Sequence, residues 1–129
     1  MRAPILAGAL AAGACVMNAP SEIVHDMQIE DVSVRFEPSA PPRPVAHIRG
    51  IIPDGCSTLN AVEQTRTGNG NTILVRVTLI RPTEAACVQV IEIFERDVPL
   101  EGAFPPGNYL VLVNGVAREF ALAEAREPR

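Results

Sequence analysis

Tryptophan is absent from this sequence, and the other aromatic residues are few: one tyrosine and four phenylalanines among 129 residues. A buried core must therefore rely on valine, isoleucine and leucine, a composition that favours strands. No segment shows a convincing helical period of apolar residues. The composition and length predict one all-β domain preceded by a leader.

Lysine is also absent, so all eleven basic residues are arginines, set against fifteen acidic residues for a net charge of −4. Domains that bind nucleic acids concentrate their basic residues in a stripe or on one face. The arginines here are scattered singly among acids. The sequence therefore predicts no nucleic-acid partner.

Histidine, the usual general base, occurs only as His25 and His47. A hydrolytic triad needs a nucleophile, a base and an orienting acid, and we interpret both histidines as solvated surface residues. No glycine-rich loop opens a helix, so residues 67–71 are a hairpin turn rather than a phosphate cradle. Three aspartates lack the spacing of known calcium loops: Asp31, Asp54 and Asp97. We expect no enzymatic activity, no cofactor and no metal.

The N-terminus has the three parts of a secretory signal peptide over residues 1–14. Arg2 supplies a positive charge, an apolar run follows over residues 3–14, and small residues precede Cys15. The run is too short to span a bilayer, which needs about 20 apolar residues. The leader predicts export.

The stretch Ala12-Gly13-Ala14-Cys15 resembles the bacterial lipoprotein signal, in which small residues precede a cysteine that receives diacylglycerol. Ala12 departs from that pattern, which prefers leucine there. The resemblance implies a membrane anchor on Cys15 and a location in the cell envelope, at the periplasm or the cell surface. The alternative is an ordinary signal-peptidase cut after Ala14, which would leave Cys15 as an unpaired thiol.

Two further cysteines, Cys56 and Cys87, remain once Cys15 is assigned to lipid. Exported domains live in an oxidising compartment, where such a pair normally forms a disulfide. Neither has another cysteine or a histidine at metal-ligand spacing. Closing this loop stabilises the fold by about 3–4 kcal/mol in the chain-entropy account. Two unrelated buried thiols are the alternative.

Beyond the leader, residues 15–24 are interpreted as the lipidated N-terminus and tether, residues 25–123 as the domain and residues 124–129 as a frayed tail. A change of phase near Asp31 indicates a β-bulge, and Asn114-Gly115 is a strong hairpin signal. Alternating apolar residues between turn signals predict about seven strands: 27–36, 45–52, 59–66, 71–80, 88–98, 109–113 and 116–122.

Short strands, frequent turns and one disulfide predict an immunoglobulin-like antiparallel β-sandwich of about seven strands. A small barrel is the alternative. Tyr109 follows Pro106-Gly107-Asn108 and is placed to form a tyrosine corner, in which its hydroxyl bonds to the preceding backbone. Plain core packing of Tyr109 is equally compatible with the sequence.

Five stretches of the sequence stand out: Pro53-Asp54-Gly55-Cys56, Asn71-Thr72-Ile73 with Val75 and Val77, Arg81-Pro82-Thr83-Glu84-Ala85-Ala86-Cys87, Pro106-Gly107-Asn108-Tyr109 and Val113-Asn114-Gly115. Together they resemble a family of uncharacterised bacterial exported domains with two such cysteines. The similarity covers about residues 45–122 and implies an immunoglobulin-like sandwich. It implies no activity, so it assigns no functional residues.

Some strands carry apolar residues on both faces, which indicates two-sided burial or an interaction patch. The candidate binding residues are those outward-facing side chains and two asparagines of the 67–71 turn: Leu74, Ile80, Leu110, Leu112, Asn69 and Asn71. The first hypothesis is a non-enzymatic envelope module that binds a protein or glycan or serves as a structural part. The second is an exported peptidase inhibitor that presents loops 67–71 and 100–107. An enzyme that uses His47 as its base is the third.

Overall fold

The computed structural model describes residues 21–83 and 86–124. The predicted signal peptide, the predicted lipidation site Cys15, residues 16–20 of the predicted tether and residues 125–129 of the predicted tail lie outside them, as do residues 84 and 85. Eight strands form: β1 (Glu22–Asp26), β2 (Gln28–Glu37), β3 (Arg43–Ile52), β4 (Thr58–Thr67), β5 (Thr72–Pro82), β6 (Glu92–Pro99), β7 (Gly107–Val113) and β8 (Val116–Leu122). The described residues contain no helix long and apolar enough to cross a membrane.

The strands form two sheets, which confirms the predicted β-sandwich over the barrel alternative. One sheet holds five strands, with β4 on one edge of β5 and with β1, then β7 and β8, on the other side of β5. The second sheet has the order β2-β3-β6. Every pairing is antiparallel except that of β5 with β7, which is parallel over residues 72–75.

The core lies between the sheets and is built from alternating aliphatic residues. On β5 the inward residues Ile73, Val75, Val77 and Leu79 are at most 2% exposed, as the period-two pattern predicts. On β2, Ile29 and Val32 both face inward although they are three residues apart. The register shifts between Ile29 and Asp31, so the predicted bulge is confirmed.

Most strand boundaries differ from the sequence prediction by one or two residues, and the two largest differences are at β1 and at the start of β6. Residues 22–24, assigned to the tether, belong to β1, which pairs with the far end of β5 from Glu22 opposite Pro82 to Asp26 opposite Thr78. β1 has no alternating apolar pattern of its own, so its strand conformation depends on pairing with β5. β6 begins at Glu92 rather than at residue 88, because its neighbour β3 ends at Ile52, opposite Glu92.

The disulfide joins Cys56 to Cys87, as predicted. Asp54, whose side chain is 5% exposed, fixes the turn that carries Cys56. Its Oδ1 accepts hydrogen bonds from the N–H groups of Cys56 and Ser57, both at 2.9 Å, and from the Ser57 hydroxyl at 3.0 Å. Its Oδ2 lies 3.2 Å from the Arg81 guanidinium. Burial raises the pKa of Asp54, but these hydrogen bonds and the Arg81 charge outweigh it, so that its pKa lies below the ordinary value.

The chain crosses from one sheet to the other at Met27, between β1 and β2. Along this edge of β5 the neighbouring strand changes from β1 to β7. Asn114 of the β7–β8 turn lies in the gap between those two strands. Its side chain accepts from Val77 N–H at 2.9 Å and donates to Met27 C=O at 2.7 Å and Val77 C=O at 2.8 Å. Asn114 and Gly115 have φ of 47° and 88°, the positive values of the predicted two-residue hairpin turn.

Candidate functional site

Three loops meet at one end of the sandwich, called here the loop end. They are the β2–β3 loop (residues 38–42), the β4–β5 turn (residues 68–71) and the β6–β7 loop (residues 100–106). Five prolines occupy the first and third of these loops: Pro38, Pro41, Pro42, Pro105 and Pro106. Proline fixes φ and removes a backbone donor, so these loops are locally stiff and poor in N–H groups.

Four of the five aromatic side chains gather beneath these loops. Tyr109 stacks on Phe120 with ring centroids 5.3 Å apart, and Phe104 meets Tyr109 edge-on at 5.2 Å. Phe36 lies 6.1 Å from Phe120. The Tyr109 hydroxyl donates to Pro105 C=O, so Tyr109 forms the predicted tyrosine corner and also packs in the core.

A groove opens between the β2–β3 and β6–β7 loops. It consists of two adjoining hollows of about 520 and 530 Å³, within the size range of ligand pockets. Both hollows are lined by Pro41, Pro42, Phe104 and Pro106, and we call the whole the proline groove. Arg43 is the one charged residue among its lining residues. The groove therefore offers apolar walls and carbonyl acceptors.

Two polar residues of β4 hold the β6–β7 loop in place. Gln64 donates to Pro99 C=O at 2.9 Å and accepts from Glu101 N–H at 3.0 Å. Arg66 lies 3.9 Å above the Phe104 ring and donates to the carbonyls of Gly70 and Glu101 at 3.2 and 3.3 Å. Arg66 thus joins two of the loops to the aromatic cluster.

The structure brings together some of the predicted binding residues. Leu74 and Leu112 are opposite each other on β5 and β7, and Leu110 is two residues away. These three, called the leucine face, lie on the outer side of the five-stranded sheet, where Leu74 is 38% exposed. Asn71 and Leu110 line a shallow hollow beside it.

The other two predicted binding residues lie elsewhere. Asn69 is exposed in the β4–β5 turn at the loop end. Ile80 is half-buried near the opposite end of β5, between Val24 of β1 and Thr58 of β4. The six residues therefore belong to more than one surface.

His47 belongs to a polar row across the outer side of the second sheet. Its Nδ1 donates to Asp97 at 2.7 Å, its Nε2 lies 3.8 Å from Glu95, and Arg35 contacts Asp97 at 2.6 Å. Hydrogen bonds from His47 and Arg35 hold the pKa of Asp97 below its ordinary value. Ser33 is opposite His47 on β2.

The row Ser33, His47 and Asp97 has the residue types of a catalytic triad. In the described part of the chain, however, no hydrogen bond joins the Ser33 hydroxyl to His47, and Glu95 faces the other ring nitrogen. All the charged members are between 40 and 56% exposed. The geometry is that of a surface ion-pair network rather than an activated nucleophile.

The end opposite the loops, called the disulfide end, carries an exposed apolar segment. Val88, Val90, Ile91 and Ile93 are 67, 54, 67 and 48% exposed, and we call them the apolar rim. The disulfide and a hydrogen bond of 2.9 Å from Gly55 N–H to Val88 C=O hold the segment in place.

A group of potential metal ligands also lies at the disulfide end. Asp54, Cys56 and Cys87 place one ligand atom each within 4.8 Å of one another. Both sulfur atoms are in the disulfide, so the Asp54 carboxylate is the one group of the three that could still act as a metal ligand.

Sequence reasoning missed the proline groove, Arg66 and the bridging role of Asn114. One signal for Arg66 was present. Val62, Gln64 and Arg66 share the inward-facing side of β4 and are half-buried there, so two polar residues occupy positions where an apolar residue is expected. Buried polar side chains need hydrogen-bond partners, and the neighbouring loop provides them.

Comparison with known proteins identifies relatives and a family. A protein of Herpetosiphon aurantiacus described as "Uncharacterized 10.2 kDa protein in HgiCIIM 5'region" is 40% identical over 96 residues, which cover 74% of this chain and 100% of the relative. Two more proteins of that organism, from the HgiBIM and HgiEIM 5' regions, are each 38% identical over 84 residues, covering 65% of this chain and 100% of each relative. No solved structure matches. Residues 46–122 match the ORF11 beta-sandwich domain, and the chain belongs to that family.

Proposed function

We propose that this protein is a non-enzymatic binding module of the bacterial cell envelope, anchored by lipid on Cys15, whose loop end binds a protein partner. The observation that carries the binding role is the proline groove. The leader and the disulfide support export, because a disulfide persists in an oxidising compartment.

The lining of the groove favours apolar or aromatic side chains of the partner. Proline rings and the Phe104 ring give flat apolar walls, and prolines contribute no N–H donors. A glycan would need many donors and acceptors in fixed positions to satisfy its hydroxyl groups. We therefore favour a protein segment over a glycan.

The loop end also suits recognition because side-chain hydrogen bonds fix the β6–β7 loop before any partner binds. The Tyr109 hydroxyl, the Gln64 amide and the Arg66 guanidinium each bond to the backbone of the β6–β7 loop region. A site whose loops are already ordered loses little conformational entropy on binding.

Charge placed in the groove tests the binding site. Ala103 and Ala123 are exposed lining residues, so Ala103→Arg and Ala123→Arg should fold normally and block apolar contacts. We expect both to lose partners that the wild type captures by cross-linking in envelope extracts, as quantified by mass spectrometry. Ala117→Arg is the matched control because Ala117 is opposite Leu112 on β8, away from the loops. Loss only with Ala117→Arg would move the site to the leucine face, and equal capture by all variants would refute the groove.

The anchor has its own test. Processing should be sensitive to globomycin, and Cys15→Ala should move the protein from the membrane fraction to the soluble fraction. A Cys15→Ala protein that stays on the membrane would refute lipidation.

A peptidase inhibitor is the second candidate, and one observation favours it. Loops 67–71 and 100–107, the two predicted inhibitory loops, are fastened side by side by Arg66. Assays of the purified domain against serine, cysteine and metallopeptidases decide between the candidates. Inhibition that Ala103→Arg abolishes would support this one, and uniform inactivity would end it.

A further inference from the structure

We infer that the disulfide end lies against the bilayer that holds the lipid anchor, with the apolar rim inserted among the lipid headgroups. This inference rests on the proposed lipidation of Cys15. It adds a second membrane contact, made by the folded domain itself, and fixes which end of the sandwich points away from the membrane.

The chain enters the domain at the disulfide end. Ser21 C=O accepts hydrogen bonds from Thr83 N–H at 2.9 Å and from the Thr83 hydroxyl at 3.0 Å. Glu22 is opposite Pro82, the last residue of β5. The apolar rim lies in the connection that follows β5 and at the start of β6. The entry point and the rim therefore share one end of the molecule.

The chain between anchor and domain is short. Six Cα–Cα steps separate Cys15 from Ser21, and a fully extended chain spans at most about 3.6 Å per residue, or about 20 Å here. The longest strand, β5, has 11 residues and is about 36 Å long at the usual rise. The connection is shorter than the sandwich, so the disulfide end stays near the anchored lipid.

The rim has the chemistry of an interfacial contact. Its four aliphatic side chains fall within six residues and are 48–67% exposed, an arrangement that marks an interaction surface in a soluble domain. Amphipathic helices bury their apolar faces about 5–10 Å into the headgroup region, and the exposed aliphatic side chains of the rim can make the same kind of contact. The nearby exposed charges Glu22 and Glu92 are acidic, so they give no attraction to anionic lipid. The contact therefore relies on the apolar side chains and should not weaken as salt is raised.

The absence of tryptophan from the chain gives a direct test. Ile91→Trp places a single fluorophore on the rim, and Leu74→Trp places a matched one on the leucine face, in the half of β5 near the loop end. Each lipidated protein is reconstituted in phosphatidylethanolamine and phosphatidylglycerol vesicles whose lipids are brominated near the headgroup. We expect bromine to quench Ile91→Trp and leave Leu74→Trp unquenched, at low and high salt alike.

Hydrogen exchange on the unsubstituted protein gives an independent measurement, because tryptophan itself favours interfaces. Residues 88–93 should exchange more slowly in the lipidated protein on vesicles than in soluble Cys15→Ala, and residues 100–106 should exchange equally in both. Vesicle-bound protein with equal quenching at both sites and no protection of residues 88–93 would overturn the inference. Failure of the wild type to float with vesicles would instead refute the anchor, and the inference with it.

Discussion

The Asn114 side chain joins the β7–β8 turn to β5 and to the β1–β2 connection, so its replacement should destabilise the fold far more than a turn residue normally does. The Asn114 amide satisfies the N–H of Val77 and the C=O of Met27. These two residues are 0 and 2% exposed. A buried polar group left without a partner costs about 1–3 kcal/mol.

Asn114→Gly isolates this effect. Glycine adopts the φ of 47° at this position without strain, so the loss beyond the chain-entropy cost of any glycine comes from the hydrogen bonds. We expect the unfolding free energy to fall by about 2–4 kcal/mol. Asn114→Ala should lose about 1–2 kcal/mol more, the usual cost of a left-handed conformation for a residue with a Cβ.

Asn114→Asp adds a pH signature. The aspartate keeps one oxygen that accepts from Val77 N–H. Its other oxygen replaces the amide NH2 group and faces the carbonyl oxygens of Met27 and Val77. Their repulsion of the charged form raises the pKa of the introduced carboxyl in the folded state. A raised folded-state pKa means that stability is retained at low pH and lost as pH rises through that pKa. The deficit relative to the wild type should therefore shrink in acid.

Urea unfolding followed by circular dichroism measures all three variants. Asn69→Gly, in the exposed β4–β5 turn, is the control, and a glycine replacement there should cost no more than about 1 kcal/mol. If Asn114→Gly were as stable as Asn69→Gly, the bridging role of the amide would be refuted.

Three further predictions concern the disulfide, the tyrosine corner and the low-pKa carboxyls. Replacing both Cys56 and Cys87 by serine should lower unfolding free energy by about 3–4 kcal/mol, and equal urea midpoints with and without the disulfide would contradict this. Tyr109→Phe should cost about 1 kcal/mol, since only the hydroxyl bond is lost, whereas Tyr109→Ala should cost about 3–5 kcal/mol; equal losses would show that the ring contributes nothing. Because the pKa values of Asp54 and Asp97 are lowered in the folded state, their contribution is present above pH about 4 and lost as pH falls below it. Asp54→Asn should therefore be less stable than the wild type at neutral pH and lose less stability between about pH 5 and pH 2.

Strands and their faces were predictable because each core strand carries its own period-two pattern. On β5 and β7 the alternating residues are the buried ones. The Asn114-Gly115 turn and the bulge near Asp31 were predictable as well, because turn chemistry and a phase change are local signals. The cysteine pair was predicted from the oxidising compartment that the predicted leader implies.

β1 and the proline groove were not predictable because they depend on partners distant in sequence. Val24 is ordered by Ile80, 56 residues later. The groove needs residues 39–44 and 100–106 side by side, and no local pattern encodes that meeting. The sequence pattern correctly predicted that Leu74 and Leu112 face outward, but they are neighbours only because β5 and β7 pair in parallel.

The β1–β5 ladder determines how the domain bears mechanical load. A pull at Ser21 acts nearly along β1, whose five residues pair in register with β5. Hydrogen bonds in such a ladder lie across the strand direction, so this force shears them together instead of opening them one after another. Behind β1, Met27 donates to Val77 C=O and accepts from Asn114, and these bonds bear the force if β1 slips. If the proposed anchor pulls on the domain at Ser21, resistance to extraction should rise with the number of β1 hydrogen bonds loaded at once.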